Sequence, residues 1–340
     1  MIQGWIYTEK EMDMRAVLQN KTGLGSLELG EMEKPEVGDG ELLVKVVCCG
    51  LNPVDYKLAE GGMKEWAWPH VPGVDVAGVV EEVGEGCGGE DGYEGGEAVM
   101  VHNDIRVQGG LGEYVVVKGH VVSRMPEGVS FEQAAALPCA GMTALLALDR
   151  KVGMVEGDTV LIQAGAGGVG GFGIQIAKRG GMRVIATCSG GNVDYVKGLG
   201  ADEVIDYTKE DVAEGVRALT DGRGVDVVLD TLGGDAGMAA LEMIAFGGHV
   251  AHVVGMADAS GINGFARGYS QHAITLGGAY LSGDYVAQCV LKEMGETLLE
   301  LVLSGDLDAM VGEVVGLEGA IAGLERLKEG HVRGKIVVRI

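Results

Sequence analysis

Basic residues are scarce in this chain: 26 lysines and arginines stand against 50 aspartates and glutamates, a formal net charge of −24 over 340 residues. A surface of that sign repels phosphate backbones and anionic lipid headgroups, so neither nucleic acid nor a membrane is an expected partner. Proline is rarer still, with six in all, and aromatic residues make up 5%. Long apolar runs are missing; none approaches the ~20 residues that cross a bilayer. The N-terminal stretch MIQGWIYTEKEMD has no basic region leading into an apolar one, so no secretory leader is expected. The six cysteines, at 48, 49, 87, 139, 188 and 289, include no C-x-x-C pair. In a chain of this length that argues for reduced thiols in a cytoplasmic protein rather than a disulfide framework.

Glycine is in excess, 61 residues, against a usual share of about 7%. It follows no G-X-Y period and comes with little proline, which excludes a collagen-like chain. Many turns and a phosphate-type loop account for part of the excess. The length predicts about two domains. Residues 14 to 125 read as mostly β, with short runs at Leu42–Val47, Val76–Val83, Ala98–His102 and Tyr114–Lys118 between glycine-rich turns. Ser130 and Gln133 form a capping box that opens a helix, and Pro138 interrupts it.

From there strands and helices alternate. Strands are expected at Thr159–Gln163, Arg183–Thr187, Glu203–Ile205, Val225–Asp230 and His249–Gly255. Helices are expected at Gly170–Arg179, Val193–Leu199, Lys209–Leu219 and Ala236–Phe246, the third opened by a Thr208–Asp211 capping pair. The closing strand, Lys335–Ile340, follows a helix and is expected to return to the β-rich part. The expected fold class is α/β: a β-rich domain, residues 1–137 and 284–340, interrupted by a doubly wound parallel-sheet domain, residues 138–283.

The segment Gly165-Ala166-Gly167-Gly168-Val169-Gly170 fits G-x-G-x-x-G. Chance matches are frequent in so glycine-rich a chain, but this one follows the apolar strand TVLIQ and opens a helix, the context a dinucleotide loop requires. Its glycines let the backbone approach a pyrophosphate, while the helix N-terminus offers free N–H groups and partial positive charge. The next strand ends Ala186-Thr187-Cys188-Ser189, with no acidic residue before Asp194 to accept from a ribose 2′-hydroxyl. That absence favours NADPH, with NADH the alternative. Ser189 could donate to a 2′-phosphate or simply cap the next helix, and Asn192 and Lys197 are the nearby candidates for the cation such a phosphate would need.

The segments CGLNPVDYKLAEGG (49–62), PHVPGVDVAGVVEEVG (69–84), LPCAGMTALLAL (137–148), AGAGGVG (164–170) and HVRGKIVVRI (331–340) resemble the medium-chain dehydrogenase/reductase superfamily, in its zinc-free quinone oxidoreductase and alkenal/enone reductase branch. The resemblance runs from about Met14 to Ile340. It implies a GroES-like catalytic domain interrupted by a Rossmann domain, with the active site between them. Asn52 stands where zinc-dependent members have their first cysteine ligand, and Val74-Asp75 where they have His-Glu. Only Cys139 matches a ligand position, and zinc wants three, so no metal is expected. Cys139 begins a helix, where a thiolate is favoured, but a buried small residue is the blander reading. His70, His102, His120 and His331 have no spacing that suggests a metal or a triad, and are expected to be solvated or locally hydrogen-bonded.

The resemblance also implies roles for individual residues. Asn52 would lie near the nicotinamide ribose and the substrate oxygen, or be only the turn residue before Pro53. Tyr56 would donate a proton, line the pocket or merely pack. Thr143 would lie against the nicotinamide. Ala164, Gly165, Gly167, Gly168, Val169 and Gly170 would form the dinucleotide loop, with Ser189, Asn192 and Tyr207 at the 2′-phosphate. Thr231, Leu232, Val254 and Gly255 would follow the fourth and fifth Rossmann strands, and Lys335 would complete the cofactor site.

The implied activity is an NADPH-dependent, zinc-independent hydride transfer to a quinone or an α,β-unsaturated carbonyl. Such substrates spread the incoming charge over their own π system, so oriented hydrogen-bond donors can replace a Lewis acid. The alternatives are a nucleotide-binding relative without catalysis (crystallin-like or RNA-binding), a zinc alcohol dehydrogenase, and an enoyl reductase of a biosynthetic pathway. A homodimer is implied, with Ala273–Tyr280 as the candidate edge strand.

Overall fold

The computed structural model describes residues 13–88, 92–330 and 332–340. The expectations for the N-terminal stretch before Asp13 and for His331 lie outside the described residues. The chain opens with the hairpin β1 (Asp13–Gln19) and β2 (Leu27–Glu33), then β3 (Glu41–Gly50), α1 (Pro53–Gly61), β4 (Asp75–Val83), β5 (Ala98–His102), β6 (Tyr114–Lys118) and the short β7 (Ser123–Arg124). Strands β3, β4, β5 and β7 pair antiparallel in that order, and β6 pairs with β3. Helices α2 (Phe131–Ala136) and α3 (Pro138–Leu145) follow. Ser130 Oγ accepts from Gln133 N at 3.2 Å while Gln133 Oε1 accepts from Ser130 N at 3.0 Å, the reciprocal capping the sequence predicts. Pro138 is the first residue of α3, where its missing N–H has no helical partner to lose.

The second sheet is parallel throughout. Its elements are β8 (Thr159–Ile162), α4 (Gly168–Arg179), β9 (Arg183–Cys188), α5 (Val193–Gly198), β10 (Glu203–Asp206), α6 (Val212–Leu219), β11 (Val225–Asp230), α7 (Gly234–Met243), β12 (Ile244–His252), α8 (Gly264–Arg267) and β13 (Ser270–Ala273). The spatial order β10-β9-β8-β11-β12-β13 is the Rossmann order 3-2-1-4-5-6. Helices cover both faces, so β8, β9 and β11 are nearly continuous apolar runs rather than alternating ones. In α4, Phe172, Ile174, Ile176 and Ala177 are buried, while Lys178 and Arg179 in the last turn complement the helix dipole.

The chain then adds α9 (Gly277–Ser282), α10 (Tyr285–Ser304), β14 (Val311–Gly316), α11 (Ala320–Glu329) and β15 (Lys335–Arg339). The last strand lies antiparallel to β3, with Val337 opposite Gly50, and parallel to β14. One apolar core runs from Val46, Val76 and Met100 through Leu137 and Met142 to Val160 and Ile162, so α2 and α3 join the two sheets. No described helix is long and apolar enough to cross a membrane.

Four sequence expectations need correction. Helix α6 begins at Val212, not Lys209, because Asp211 alone caps it, accepting from Glu214 N at 2.9 Å. Thr208 bonds Asp206 instead, its hydroxyl donating at 2.6 Å. Phe246 belongs to β12 rather than to α7, which ends at Met243. Strand β13 ends at Ala273 because its partner β12 ends at His252; beyond it Thr275 Oγ1 accepts from Gly278 N at 3.1 Å and α9 begins, so Ala273–Tyr280 is not the edge strand.

Candidate functional site

A cleft of about 490 Å³ lies between the two sheets, beyond the C-terminal ends of β8, β9 and β11. This is the switch point of the parallel sheet, where neighbouring connections leave in opposite directions and open a crevice. The loop between β8 and α4 forms one wall. Ala166, Gly167, Gly168, Val169 and Gly170 line it, together with Ala164. Gly165 turns the other way: its amide donates to Thr187 O at 2.8 Å, and a Cβ there would meet Ile174, Ala186 and Val196 at 3.0–3.3 Å. At Gly170 a Cβ would stand 2.3 Å from the Ala164 carbonyl oxygen, so glycine is what lets the helix start this close to the strand. The amides at the start of α4 thereby face the cleft, a cradle suited to a dinucleotide pyrophosphate.

The fourth and fifth strand ends are tied to this loop. Thr231 Oγ1 donates to Gln163 O at 3.0 Å, and Thr231 and Leu232 line the cleft. Asp230 Oδ1 accepts from Leu232 N (3.0 Å) and Gly233 N (2.8 Å), and its Oδ2 meets His252 Nδ1 at 2.7 Å. Burial alone would raise the Asp230 carboxyl; the bonds from His252 and the two amides outweigh it and hold it below the usual carboxylate range. Val254 stands beside Gly233, and Gly255 follows it. Neither lines the cleft, nor does Thr143, which is buried within α3 one turn beyond the cleft residues Cys139 and Ala140.

The opposite wall is built on three short segments: the turn before α1, the start of β4 and the start of β15. Asn52, Asp75 and Lys335 are 2%, 0% and 3% exposed. Lys335 Nζ donates to Asn52 Oδ1, to Leu51 O at 3.1 Å and to Asp75 Oδ2 at 3.3 Å. Because an ammonium only donates, the Asn52 atom it touches is the oxygen. Asn52 Nδ2 then gives its two hydrogens to Asp75 Oδ2 (2.8 Å) and Gly50 O (3.2 Å). Asn52 therefore has no hydrogen left for a substrate oxygen, and only an acceptor lone pair to offer a ribose hydroxyl. Below it Asp55 accepts from Asn52 N (2.8 Å) and Val74 N (3.1 Å). Burial, and then the charge of Asp75, push the Asp55 carboxyl up to about 7.

Tyr56 is not brought to the cleft. It is half-buried against a separate core between α1 and α11, because one residue along a helix turns the side chain by about 100°. Lys335 is not the surface charge that a simple Gly-Lys turn would give. The Gly334 amide donates to Ala166 O at 2.9 Å, and this backbone bond to the dinucleotide loop carries Lys335 inward. At the far end of the cleft Ser189, Asn192 and Tyr207 come together, as the sequence predicts, whereas Lys197 does not line it.

The histidines also differ from expectation. His70 is buried and stacks on Trp66 at 3.7 Å between ring centroids, rather than being solvated. His120 is locally bonded, to Gln288 at 2.8 Å. His102 is buried, its Nδ1 has no partner among the described residues, and it converges with Asp75 and Cys139 so that one ligand atom from each lies within 4.8 Å of the others. Sequence spacing could not show this convergence, since three separate elements create it. The three do not fit a zinc ion. Asp75 Oδ1 already accepts from Cys139 N at 2.8 Å, and its Oδ2 holds Asn52 and the Lys335 ammonium. A dication would have to share that carboxylate with a fixed positive charge. Burial, and then the charge of Asp75, also hold the Cys139 thiol well above its ordinary range, against the reactive-thiolate reading.

Residues 38–127 match the alcohol dehydrogenase GroES-like domain, and residues 199–338 match the family described as zinc-binding dehydrogenase. A 2-methylene-furan-3-one reductase of Solanum lycopersicum is 39% identical over 250 residues, 69% of this chain and 61% of that one. The chain spans about three fifths (58–61%) of the length of the first curated relatives it matches. The trans-enoyl reductase pgmF of Aspergillus terreus is 32% identical over 317 residues, 89% of this chain and 87% of that one. Among solved structures, the quinone oxidoreductase from Coxiella burnetii superimposes with a TM-score of 0.83 at 30% identity, covering 96% of this chain and 99% of that one. The GroES-like and Rossmann architecture expected from the sequence is thus found in both the fold and the relatives, and the chain belongs to the medium-chain dehydrogenase/reductase superfamily, with quinone oxidoreductases and enone or enoyl reductases among its relatives.

Proposed function

We propose that the chain is an NADPH-dependent, zinc-independent reductase of quinones or α,β-unsaturated carbonyls. The observation that carries this reading is the wall opposite the dinucleotide loop, where Lys335, Asn52 and Asp75 satisfy one another and leave no open ligand set for a Lewis acid. Reduction of an isolated ketone builds an alkoxide that needs such an acid. A conjugated acceptor delocalises the charge itself, so binding it in line can suffice. The names of the tomato, Aspergillus and Coxiella relatives support the same substrate range.

Bound reduced nicotinamide supplies the hydride, to a quinone ring or an enone β-carbon. The protein's part is positional: the α4 N-terminus holds the pyrophosphate, Asn52 Oδ1 accepts from the ribose, and Leu51, Pro53 and Ala140 give the substrate an apolar floor. The donors of Asn52 and Lys335 are already committed, so water entering the open cleft delivers the proton. A homodimer joined through the free edge of β13 and a cytoplasmic location, in keeping with six unpaired cysteines, complete the proposal.

The test is the initial rate of NADPH oxidation with a benzoquinone and with a linear alkenone, in parallel, on protein assayed for zinc and again after chelation. Turnover of either acceptor, unchanged by chelation, is expected. No turnover of either, or rates that track zinc content, overturns the reading.

A further inference from the structure

The 2′-phosphate end of the cleft lacks a lysine in the loop after β9, where Asn192 stands. The charge is restored from elsewhere in the chain. Arg333 lies in the short segment between α11 and β15, about 140 residues away, and that segment is hydrogen-bonded to the dinucleotide loop through Gly334 N and Ala166 O. The Arg333 guanidinium reaches back over the loop after β9. Its Nε and Nη2 donate to Asn192 Oδ1 at 3.0 and 2.9 Å, Nη2 also donates to Gly191 O at 3.1 Å, and the group sits 5.0 Å over the Tyr195 ring.

These contacts orient the whole end of the cleft. With its oxygen held by Arg333, Asn192 turns its Nδ2 to Ser189 Oγ at 3.1 Å. The Ser189 hydroxyl accepts that bond and keeps its own hydrogen. Arg333 keeps the two hydrogens of Nη1, which have no partner among the described residues. Tyr207, half exposed, adds a phenol on the same side. The carboxylate beside Gly190 is already paired: Asp206 Oδ2 meets Lys209 at 2.8 Å, and its Oδ1 accepts from Thr208. In a chain of net charge −24 this corner gathers a guanidinium, an ammonium and two hydroxyls.

We infer that Arg333 is the residue that selects the 2′-phosphate of NADPH, supplying from the C-terminal segment the cation that the loop after β9 does not carry. This rests on the NADPH reading above and adds to it the residue that decides it. A planar guanidinium suits a phosphate better than an ammonium because two parallel N–H groups meet two oxygens. The alternative role is a mechanical staple, holding the C-terminal segment against the loop without sensing phosphate.

Calorimetric titration of the full-length protein with adenosine 2′,5′-bisphosphate, ADP and inorganic phosphate separates these roles. The wild-type protein is expected to favour the bisphosphate over ADP and to bind free phosphate far more weakly than either. In Arg333→Ala the bisphosphate is expected to weaken roughly tenfold to a hundredfold, the range for lost charge-assisted hydrogen bonds, with the ADP arm moving much less. Arg333→Lys is expected to recover part of the loss. The ratio of kcat/KM for NADPH to that for NADH, with one quinone acceptor, is expected to fall in parallel. Equal weakening of bisphosphate and ADP means a staple and overturns the inference, as does a bisphosphate preference that survives in Arg333→Ala. A wild-type protein with no preference overturns the NADPH reading and this inference together, so the two failures are distinguishable.

Discussion

The two ends of the cleft use polar residues in opposite ways. At the Lys335 end Asn52, Asp55, Asp75 and Lys335 are buried and bond mainly to one another and to nearby backbone. At the far end Ser189, Asn192, Tyr207 and Arg333 are partly or well exposed, and several of their donors have no partner among the described residues. Burial makes an unsatisfied polar group expensive, so the first cluster is closed and rigid. Exposure lets the second keep donors in reserve for a ligand. The first end should therefore report on stability and the second on selectivity.

The largest effect expected from this contrast is at Lys335. Replacing it with Met leaves Asp75 buried without its cation, which costs about 3–5 kcal/mol. Denaturant unfolding measures this. Adding Asp75→Asn should recover most of the loss, because removing both charges leaves no uncompensated one. A loss as large in the double variant would mean that Lys335 matters for packing rather than for charge.

Asn52→Ala comes next. It strands donors and acceptors on Asp75 and Lys335, a cost of about 1–3 kcal/mol, and removes the acceptor assigned to the ribose. Its kcat/KM should fall by roughly tenfold to a hundredfold, while the preference for NADPH over NADH stays near the wild-type ratio. Loss of that preference would join the two ends and break the comparison.

A further effect on stability is expected in its pH dependence. The folded protein holds the Asp55 carboxyl at about 7, against an ordinary value of 3.8. Between those values the folded state binds the proton more tightly than the unfolded chain does. The Asp55 contribution is therefore most favourable below pH 4, declines as the pH rises to about 7, and then levels off. Thermal melts of the wild-type protein and Asp55→Asn across pH 4 to 8 should separate toward the alkaline side, the wild type losing stability relative to the amide, which mimics the protonated carboxyl. Parallel curves would place Asp55 in a wetter site than the structure shows.

The smallest change is expected from Tyr56→Phe. Tyr56 is not brought to the cleft, so kcat should remain within about twofold and stability within about 0.5 kcal/mol. A large fall in kcat would restore the proton-donor role that its neighbourhood in sequence suggested.

Much of the fold was legible because its signals are local. A capping box needs only Ser130 and Gln133, and the dinucleotide loop needs a strand, spaced glycines and a helix in immediate succession. The Rossmann strand ends that line the cleft follow from the same succession. The misses share a different cause. The extent of β13 depended on where its neighbour β12 stopped, and the direction of Tyr56 on one step around a helix that the sequence does not orient.

Local chemistry by itself determined the alternation of strands and helices and the glycine cradle at Gly167–Gly170; the family resemblance added Asn52 and Val74 in place of two metal ligands. The tertiary structure alone decided what replaces them. The pairing of β15 with β3, and of Gly334 with Ala166, carries Lys335 under Asn52 and Arg333 over Asn192. The resemblance placed Lys335 at the cofactor site, but without it the segment around 333–335 reads as a charged turn, because sequence shows neighbours along the chain whereas electrostatics depends on neighbours in space. Two cations from one short segment, Lys335 in the cleft wall and Arg333 on Asn192 at its far end, take these places only once a strand far along the chain has closed the first sheet.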